Sequence, residues 1–301
     1  MNKPILSIVI ANYNYGRFLE EAIKSVVEQD GFDKCELIVV DGGSTDNSVE
    51  VIKKYANGLP SNVSYTDWIN SSNHNSQTPP LITWWCSEKD KGQSDAFNKG
   101  FSHARGRFGC WLNADDLFMP GALSKVCAFI DAHSYAEWIG ASSVFVDGGL
   151  HVKWCSRCVN TFKLWQKRIP YYSVNGPSSF FLLDLLSEVG GFDVSLRYTM
   201  DTDLWRRFAK AGISLLHVPD YVWCFRVHED SKTSHRFLTG GSTSEFAKER
   251  QSVDMKYGIS SRMAHIGAIL NRMARLLSGA YLFSYADTLR FRGRYFSEVK
   301  T

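Results

Sequence analysis

Residues 36–48 read ELIVVDGGSTDNS: an apolar run that stops at Asp41, two glycines, then a cluster of small polar residues. An apolar run without polar alternation marks a strand buried on both faces, as strands of a parallel sheet are under their flanking helices. Gly42 and Gly43 permit a tight turn whose backbone comes close to a ligand, and Ser44 is placed to cap a helix over Thr45–Tyr55. Asp and Ser in such a turn can equally be purely structural. Upstream, Ile5–Ala11 is a second buried run, and Phe18, Leu19, Ala22, Ile23, Val26 and Val27 recur at helical spacing over Gly16–Gln29. Downstream, a helix over Gln93–Ala104 leads into a strand over Arg107–Leu112. Strands alternating with helices of this length predict an α/β fold, a mostly parallel central sheet flanked by helices with right-handed crossovers. Ligands of such sheets sit at the carboxyl ends of the strands, which here are Asn12, Asp41 and the group Asn113, Asp115 and Asp116.

The whole chain has 301 residues, 44% hydrophobic and 22% charged, with a formal net charge of +3, which is the composition of a folded globular protein. No apolar run reaches the roughly 18 residues of a membrane span. The layout of residues 1–16 predicts no cleavable signal, and seven irregularly spaced cysteines predict no disulfide framework, so a cytoplasmic protein is expected. Charge is uneven: residues 231–301 hold twelve Lys/Arg against five Asp/Glu. The apolar positions Met263, Ile266, Leu270, Met273 and Leu277 fall on one stripe of a helix expected over Ile259–Phe283, with Arg262, Arg272 and Arg275 beside or opposite it. That stripe is expected either to pack on protein, the catalytic domain or a second copy in a homo-oligomer, or to lie as a peripheral contact on an anionic membrane face. Residues 61–80 read as an irregular loop, and residues 148–178 as a mobile surface segment over one end of the sheet.

Five clusters carry candidate chemistry. In WLNADDLFMPGAL (residues 111–123), adjacent carboxylates at a strand end either take a cation such as Mg²⁺ or Mn²⁺ shared with a substrate's phosphates or decorate a helix start. VVDGGSTDNS (residues 39–48) is neither a dinucleotide fingerprint nor a P-loop. In SEKDKGQSDAFNKGFSHARG (residues 87–106), Asp95, Asn98 and Lys99 crowd a helix start in the manner of a polar pocket, although solvated charges would look the same. Asp201 and Asp203 open a helix within SLRYTMDTDLWRRFAKAG (residues 195–212); Asp203 reads as structural, and Asp201 as a general base if it shares a cleft with Asp115. His228 follows an apolar strand beside Arg226 and Lys232, where it suits either a ligand role or the surface. The single Cys155-Ser-Arg-Cys158 pair lacks the partners a structural zinc would need.

Together with SIVIANYNYGRFLEEAIKSVVEQ, GGFDVSLRYTMDTDLWRRFAKAG and FRVHEDSKT, these segments in this order resemble the family 2 glycosyltransferases of GT-A fold over most of residues 5–234. The resemblance implies an inverting transfer of a sugar, hexosyl or N-acetylhexosaminyl, from a nucleotide-diphosphate sugar (UDP most expected) to a saccharide or lipid-linked hydroxyl acceptor in polysaccharide or glycolipid synthesis. It also implies a GT-A catalytic domain over residues 1–235, divided into a nucleotide-binding half (1–116) and an acceptor-binding half (117–235), and leaves 236–301 as a basic, mainly helical extension. By matching position, Asn12, Asp41, Asp95, Asn113 and Asp115 are expected at the nucleotide and donor, Asp115, Asp116 and His228 at a Mn²⁺ or Mg²⁺ ion, and Asp201 as the catalytic base. No nucleic-acid partner is expected. Two positions depart from the family pattern: Gly42 and Asn113 stand where an acid is frequent. The competing readings are a non-catalytic nucleotide- or sugar-binding protein on the same fold and a metal-dependent nucleotidyltransferase or phosphohydrolase.

Overall fold

Four short runs, three of them apolar in the sequence, form the parallel half of a nine-stranded sheet. The computed structural model describes residues 3–70, 80–159, 172, 174–231 and 244–299. Strands β1 (Leu6–Asn12), β2 (Cys35–Asp41), β3 (Trp84–Ser87) and β4 (Phe108–Asn113) lie in the order β3-β2-β1-β4, all parallel. Their register decides where chemistry can happen. Asn12 pairs with Asp41, Asp41 with Ser87, and Ala11 with Asn113, so the polar ends of four strands fall along one rim. Helices α1 (Gly16–Val27), α2 (Ser48–Ala56), α3 (Tyr65–Asn70) and α4 (Gln93–Ser102) flank this half. Gly100 lets α4 lie against the sheet, since a Cβ there would meet a Val9 methyl at 2.3 Å.

Two local expectations change. Helix α2 begins at Ser48 rather than Thr45, because Asp46, not Ser44, accepts from the Ser48 amide at 3.1 Å, while also accepting from the Gly16 amide at 2.8 Å. The Ser44 hydroxyl turns back to donate to Asp41 at 2.5 Å. The region expected as a loop from residue 61 contains α3; residues 71–79 lie outside the described residues.

Beyond β4 the sheet becomes mixed. The elements are β5 (Leu117–Phe118), α5 (Ala122–Ala132), β6 (Trp138–Val146), β7 (Val152–Ser156), β8 (Ser179–Leu182), α6 (Leu183–Glu188), α7 (Met200–Lys210) and β9 (Leu215–Arg226). The order continues β4-β8-β6-β9-β5 with β7 beside β6, and every pairing except β6 with β9 is antiparallel. The parallel character is thus confined mainly to the N-terminal half. Of the segment expected over one end of the sheet, residues 160–171 and 173 lie outside the described residues. Alternate side chains of the strands feed two apolar cores: Ile8, Ile10, Val39 and Leu112 on one face, Val9, Ile38, Val40 and Trp111 on the other.

Three helices close the described chain: α8 (Ser244–Lys256), α9 (Ser261–Leu277) and α10 (Ala280–Phe291). The single helix expected over Ile259–Phe283 is broken by Gly279, whose φ of +71° lies in the left-handed region that favours glycine. Helix α10 packs on β7: Asp287 accepts from the Arg157 guanidinium at 2.7 Å, and the Thr288 hydroxyl accepts from the Cys155 amide at 2.9 Å.

Candidate active site

At the rim formed by the strand ends opens a cleft of about 310 Å³. Asn12, Asp90, Gln93, Asn113 and Asp115 line it from the parallel half. Arg197, Tyr198, Met200 and Asp201 line it from the approach to α7 and its first turn, with Trp223 and Phe225 from β9. Asp115 and Asp201, far apart in the chain, therefore meet in a single crevice.

Not every expected residue reaches it. Asp41 is fully buried and saturated: one oxygen accepts from Asn12 Nδ2 at 2.7 Å and from Ser44 Oγ at 2.5 Å, the other from Ser87 Oγ at 2.6 Å and the Ser44 amide at 3.0 Å. Its direct work is to orient Asn12, which does line the cleft and whose Oδ1 is buried without a hydrogen-bond partner among the described residues. Asp95 accepts from the Lys91 amide at 3.0 Å and secures the start of α4 outside the cleft. Asp116 is buried, accepts from Asn113 Nδ2 at 2.7 Å and the Arg226 amide at 3.1 Å, and does not line the cleft. Burial first, then the neighbouring Asp115, hold its carboxyl well above the usual carboxylate range.

The expected pair at 115 and 116 is thus split. Asp115 faces the ligand space, and Asp116 faces inward as an anchor. A relay explains the placing of Asn113: Gln93 Nε2 donates to its Oδ1 at 2.7 Å while its own Nδ2 donates to Asp116. His228 stands one step behind Asp115, its Nε2 at 3.0 Å from Asp115 Oδ2 and its ring packed on Phe18 at 4.8 Å between centroids. Tyr15 closes the same corner, donating to the Asp230 carbonyl at 2.8 Å; burial and the Asp115 charge push its hydroxyl up to about 12.

Asp201 sits in the first turn of α7 and accepts from the Thr202 amide at 2.5 Å. Burial raises its carboxyl above the ordinary aspartate value, an effect opposed by its contact with Thr202 and by the charge of Arg250. Asp203, expected to be structural, is fully buried and accepts from Lys256 Nζ at 2.9 Å, the Tyr257 hydroxyl at 2.8 Å and Arg207 Nε at 2.9 Å.

Sequence reasoning missed two carboxylates. Asp90 lines the cleft, and a Cβ placed on Gly42 would lie 2.7 Å from its Oδ2, so Asp90 fills the space that a side chain at 42 would take. Its signal was the D-K-G run just before α4. Glu249, on α8, accepts from the backbone amides of Arg197 at 3.0 Å, Tyr198 at 2.8 Å and Thr199 at 2.8 Å, and from the Thr199 hydroxyl at 2.8 Å. These are the donors that precede α7 and would otherwise be orphaned at its start. Nothing in the local pattern around Glu249 pointed to this role.

For a divalent ion the chain offers little on its own: among the described residues no group of three or more His, Cys, Asp or Glu is arranged to hold one. Asp115 with His228 nevertheless fits a Mg²⁺ or Mn²⁺ site that takes its other oxygens from substrate phosphates.

The α/β sheet thus gathers an amide, acids and an imidazole at its strand ends, where ligands of such sheets bind. Residues 7–178 match the family described as Glycosyl transferase family 2, and the chain belongs to it. Among curated relatives, an uncharacterized glycosyltransferase of Nostoc sp., alr2836, is 35% identical over 40% of this chain and 31% of its own length. The minor teichoic acid biosynthesis protein GgaB of Bacillus subtilis is 31% identical over 48% of this chain, which spans only 14% of that protein. The putative glycosyltransferase EpsE of Bacillus subtilis is 25% identical over 77% of this chain and 76% of its own. The fold is similar to that of S. aureus TarS 1-349, solved in complex with UDP-GlcNAc (TM-score 0.59, 17% identity, 83% of this chain and 65% of that one). It is also similar to that of the mannosyltransferase PcManGT from Pyrobaculum calidifontis, solved with GDP-Man and Mn²⁺ (TM-score 0.54, 16% identity, 99% and 84%).

Proposed function

We propose that the protein is an inverting glycosyltransferase that moves a hexosyl or N-acetylhexosaminyl group from a nucleoside-diphosphate sugar, a UDP-sugar first, to a hydroxyl of a saccharide or lipid-linked acceptor. The observation that carries this reading is the convergence of Asp115 and Asp201 on one cleft. Membership of the family supports glycosyl transfer. The UDP-GlcNAc complex of TarS and the name of GgaB support, by analogy, a UDP donor and a cell-envelope polymer as the product's destination. Seven free thiols support work in the reducing cytoplasm.

In this reading Asn12, held by Asp41, and Asp90 receive the nucleoside, and Asp115 with His228 faces the diphosphate. A divalent cation, when bound there, supplies positive charge against the charge that builds on the departing diphosphate. Asp201 accepts the proton of the acceptor hydroxyl as that oxygen bonds to the anomeric carbon and the bond to the diphosphate breaks. The burial that raises its carboxyl also makes it a better proton acceptor near neutral pH. One in-line displacement requires one base and no protein nucleophile. Asp95 and Asp116 act behind the site, the first on the start of α4 and the second on Asn113 and the backbone of Arg226.

A panel of UDP- and GDP-sugars, each incubated with the protein and Mn²⁺ or Mg²⁺ and followed by NMR, tests the reading. Release of the nucleoside diphosphate with inverted anomeric configuration of the freed or transferred sugar is expected. Tight nucleotide binding without turnover of any donor would instead favour a binding protein on the same fold.

A further inference from the structure

We propose that the outer face of α9 and α10 is a docking surface for an anionic lipid bilayer. The proposal goes beyond sugar transfer and does not depend on it.

Of the sixteen large hydrophobic residues that are exposed among the described residues, eleven fall between Ile266 and Tyr295. Monomeric soluble proteins rarely gather apolar surface in this way, and where they do it marks an interaction site. On α9, Ile266, Ile269, Met273 and Leu276 follow one another at helical spacing on the solvent side, the side opposite the buried Gly267. On α10, Leu282 is 68% exposed and Leu289 60%, while the helix's buried side is taken by Ala280, Ser284 and Phe291. Of the stripe expected from the sequence, Ile266, Met273 and Leu277 are exposed, while Met263 and Leu270 are half-buried.

Charge selects the occupant. Residues 261–298 contain six arginines and two acids, the exposed Glu298 at the far end and, within the helices, Asp287. That acid is committed inward, to Arg157 at 2.7 Å and the Tyr221 hydroxyl at 2.6 Å. Arg262, Arg272, Arg290, Arg292 and Arg294 are exposed around the apolar residues. Two copies meeting through this face would set five exposed arginines against five more, with Glu298 the one exposed acid among residues 261–298, whereas anionic headgroups complement them and the acyl boundary accepts the leucines. No described helix is long and apolar enough to cross a membrane, so the contact lies in the plane of the interface.

The test is co-sedimentation of the full chain with vesicles of phosphatidylcholine alone and of phosphatidylcholine mixed with phosphatidylglycerol. Sedimentation with the anionic vesicles only is expected, weakened by salt. Arg272→Gln with Arg290→Gln should lower partitioning roughly 30-fold, and Leu282→Ser with Leu289→Ser by about 100-fold, both with UDP binding unchanged. The arginine pair leaves every apolar contact in place and serves as the independent variant if the leucine pair disturbs the fold. Equal behaviour on both vesicles, or none on either, overturns the proposal. So does a dimer in sedimentation velocity that the leucine variant dissolves, because the face would then belong to a second copy of the chain.

Discussion

The two ends of the cleft are held by different means. Asp115 projects from the end of β4, backed by interior groups: Asp116 in the core, Asn113 between it and Gln93, and the amide of Arg226 on β9. Asp201 projects from the start of α7, where the supports come from outside the sheet. From α8, Glu249 gathers the amides of residues 197–199, Arg250 donates to the Thr202 hydroxyl at 3.0 Å, and Asp254 accepts from Arg206 of α7. In the proposed reading the donor end is built by sheet register, the base end by a polar clamp from a helix some fifty residues further along the chain. Disturbing the first should cost folding and activity together; disturbing the second should cost activity more than folding.

The largest expected effect is at the donor end. Asp116→Ala leaves the Asn113 amide and the Arg226 N–H without their acceptor in a buried place, and should destabilise the fold by about 3 kcal/mol in urea denaturation while weakening UDP binding. A variant of ordinary stability would break the contrast. Next comes Glu249→Gln, which keeps the shape but removes the charge from the clamp. Turnover should fall by roughly 10-fold as Asp201 loses its fixed position, with UDP affinity unchanged. Restoration of most turnover by Glu249→Asp would sharpen the assignment, and a parallel loss of UDP affinity would contradict it.

A smaller effect is expected in the pH profile. Only ionised Asp201 can accept a proton, and its raised pKa means that turnover falls, as pH is lowered, at a pH above the usual aspartate value of about 3.9. Arg250 opposes that rise, so Arg250→Met should move the acidic limb to still higher pH. A limb that stays in place would detach α8 from the base. The smallest effect belongs to Asp193, which Ser195 and then Lys256 hold down at about 2. Its native form binds fewer protons than its unfolded form between the unfolded value and about 2. The stability it lends is therefore complete above the unfolded value and is lost as pH falls through that window. Ser195→Ala, which removes the largest of these contacts and nothing else, should narrow the window in acid-denaturation curves without touching the donor end.

The same contrast explains what was legible in the sequence. Strands buried on both faces are continuous apolar runs, so β1, β2 and β4 and the polar residues ending them could be read directly, and with them Asn12 and Asp115. The direction of a side chain at a strand end could not. Asp115 and Asp116 are neighbours in the chain and face opposite ways, and Asp41 and Asp95 spend their oxygens on local hydrogen bonds. Asp201 was legible from its place at a helix start beside the structural Asp203. Glu249 was not, because α8 has a single buried residue, Val253, and so almost no apolar periodicity, and its partners lie far away in sequence. In the mixed half, β5, β6 and β8 were missed: β6 is buried at every position but its run is interrupted by Gly140, Ser142 and Ser143, and β5 and β8 are short, so neither a continuous apolar run nor alternation announced them.

The central claim is that one cleft has a donor end at Asp115 and a base end at Asp201. Isothermal titration of UDP in the presence of Mn²⁺, run beside a turnover assay on Asp201→Asn and Asp115→Ala, addresses it most directly. Asp201→Asn should bind UDP as the unaltered protein does and lose roughly 10²–10⁴-fold in turnover, whereas Asp115→Ala should lose the metal-dependent binding itself. Full turnover in Asp201→Asn, or an equal loss of UDP binding in both variants, would contradict the account.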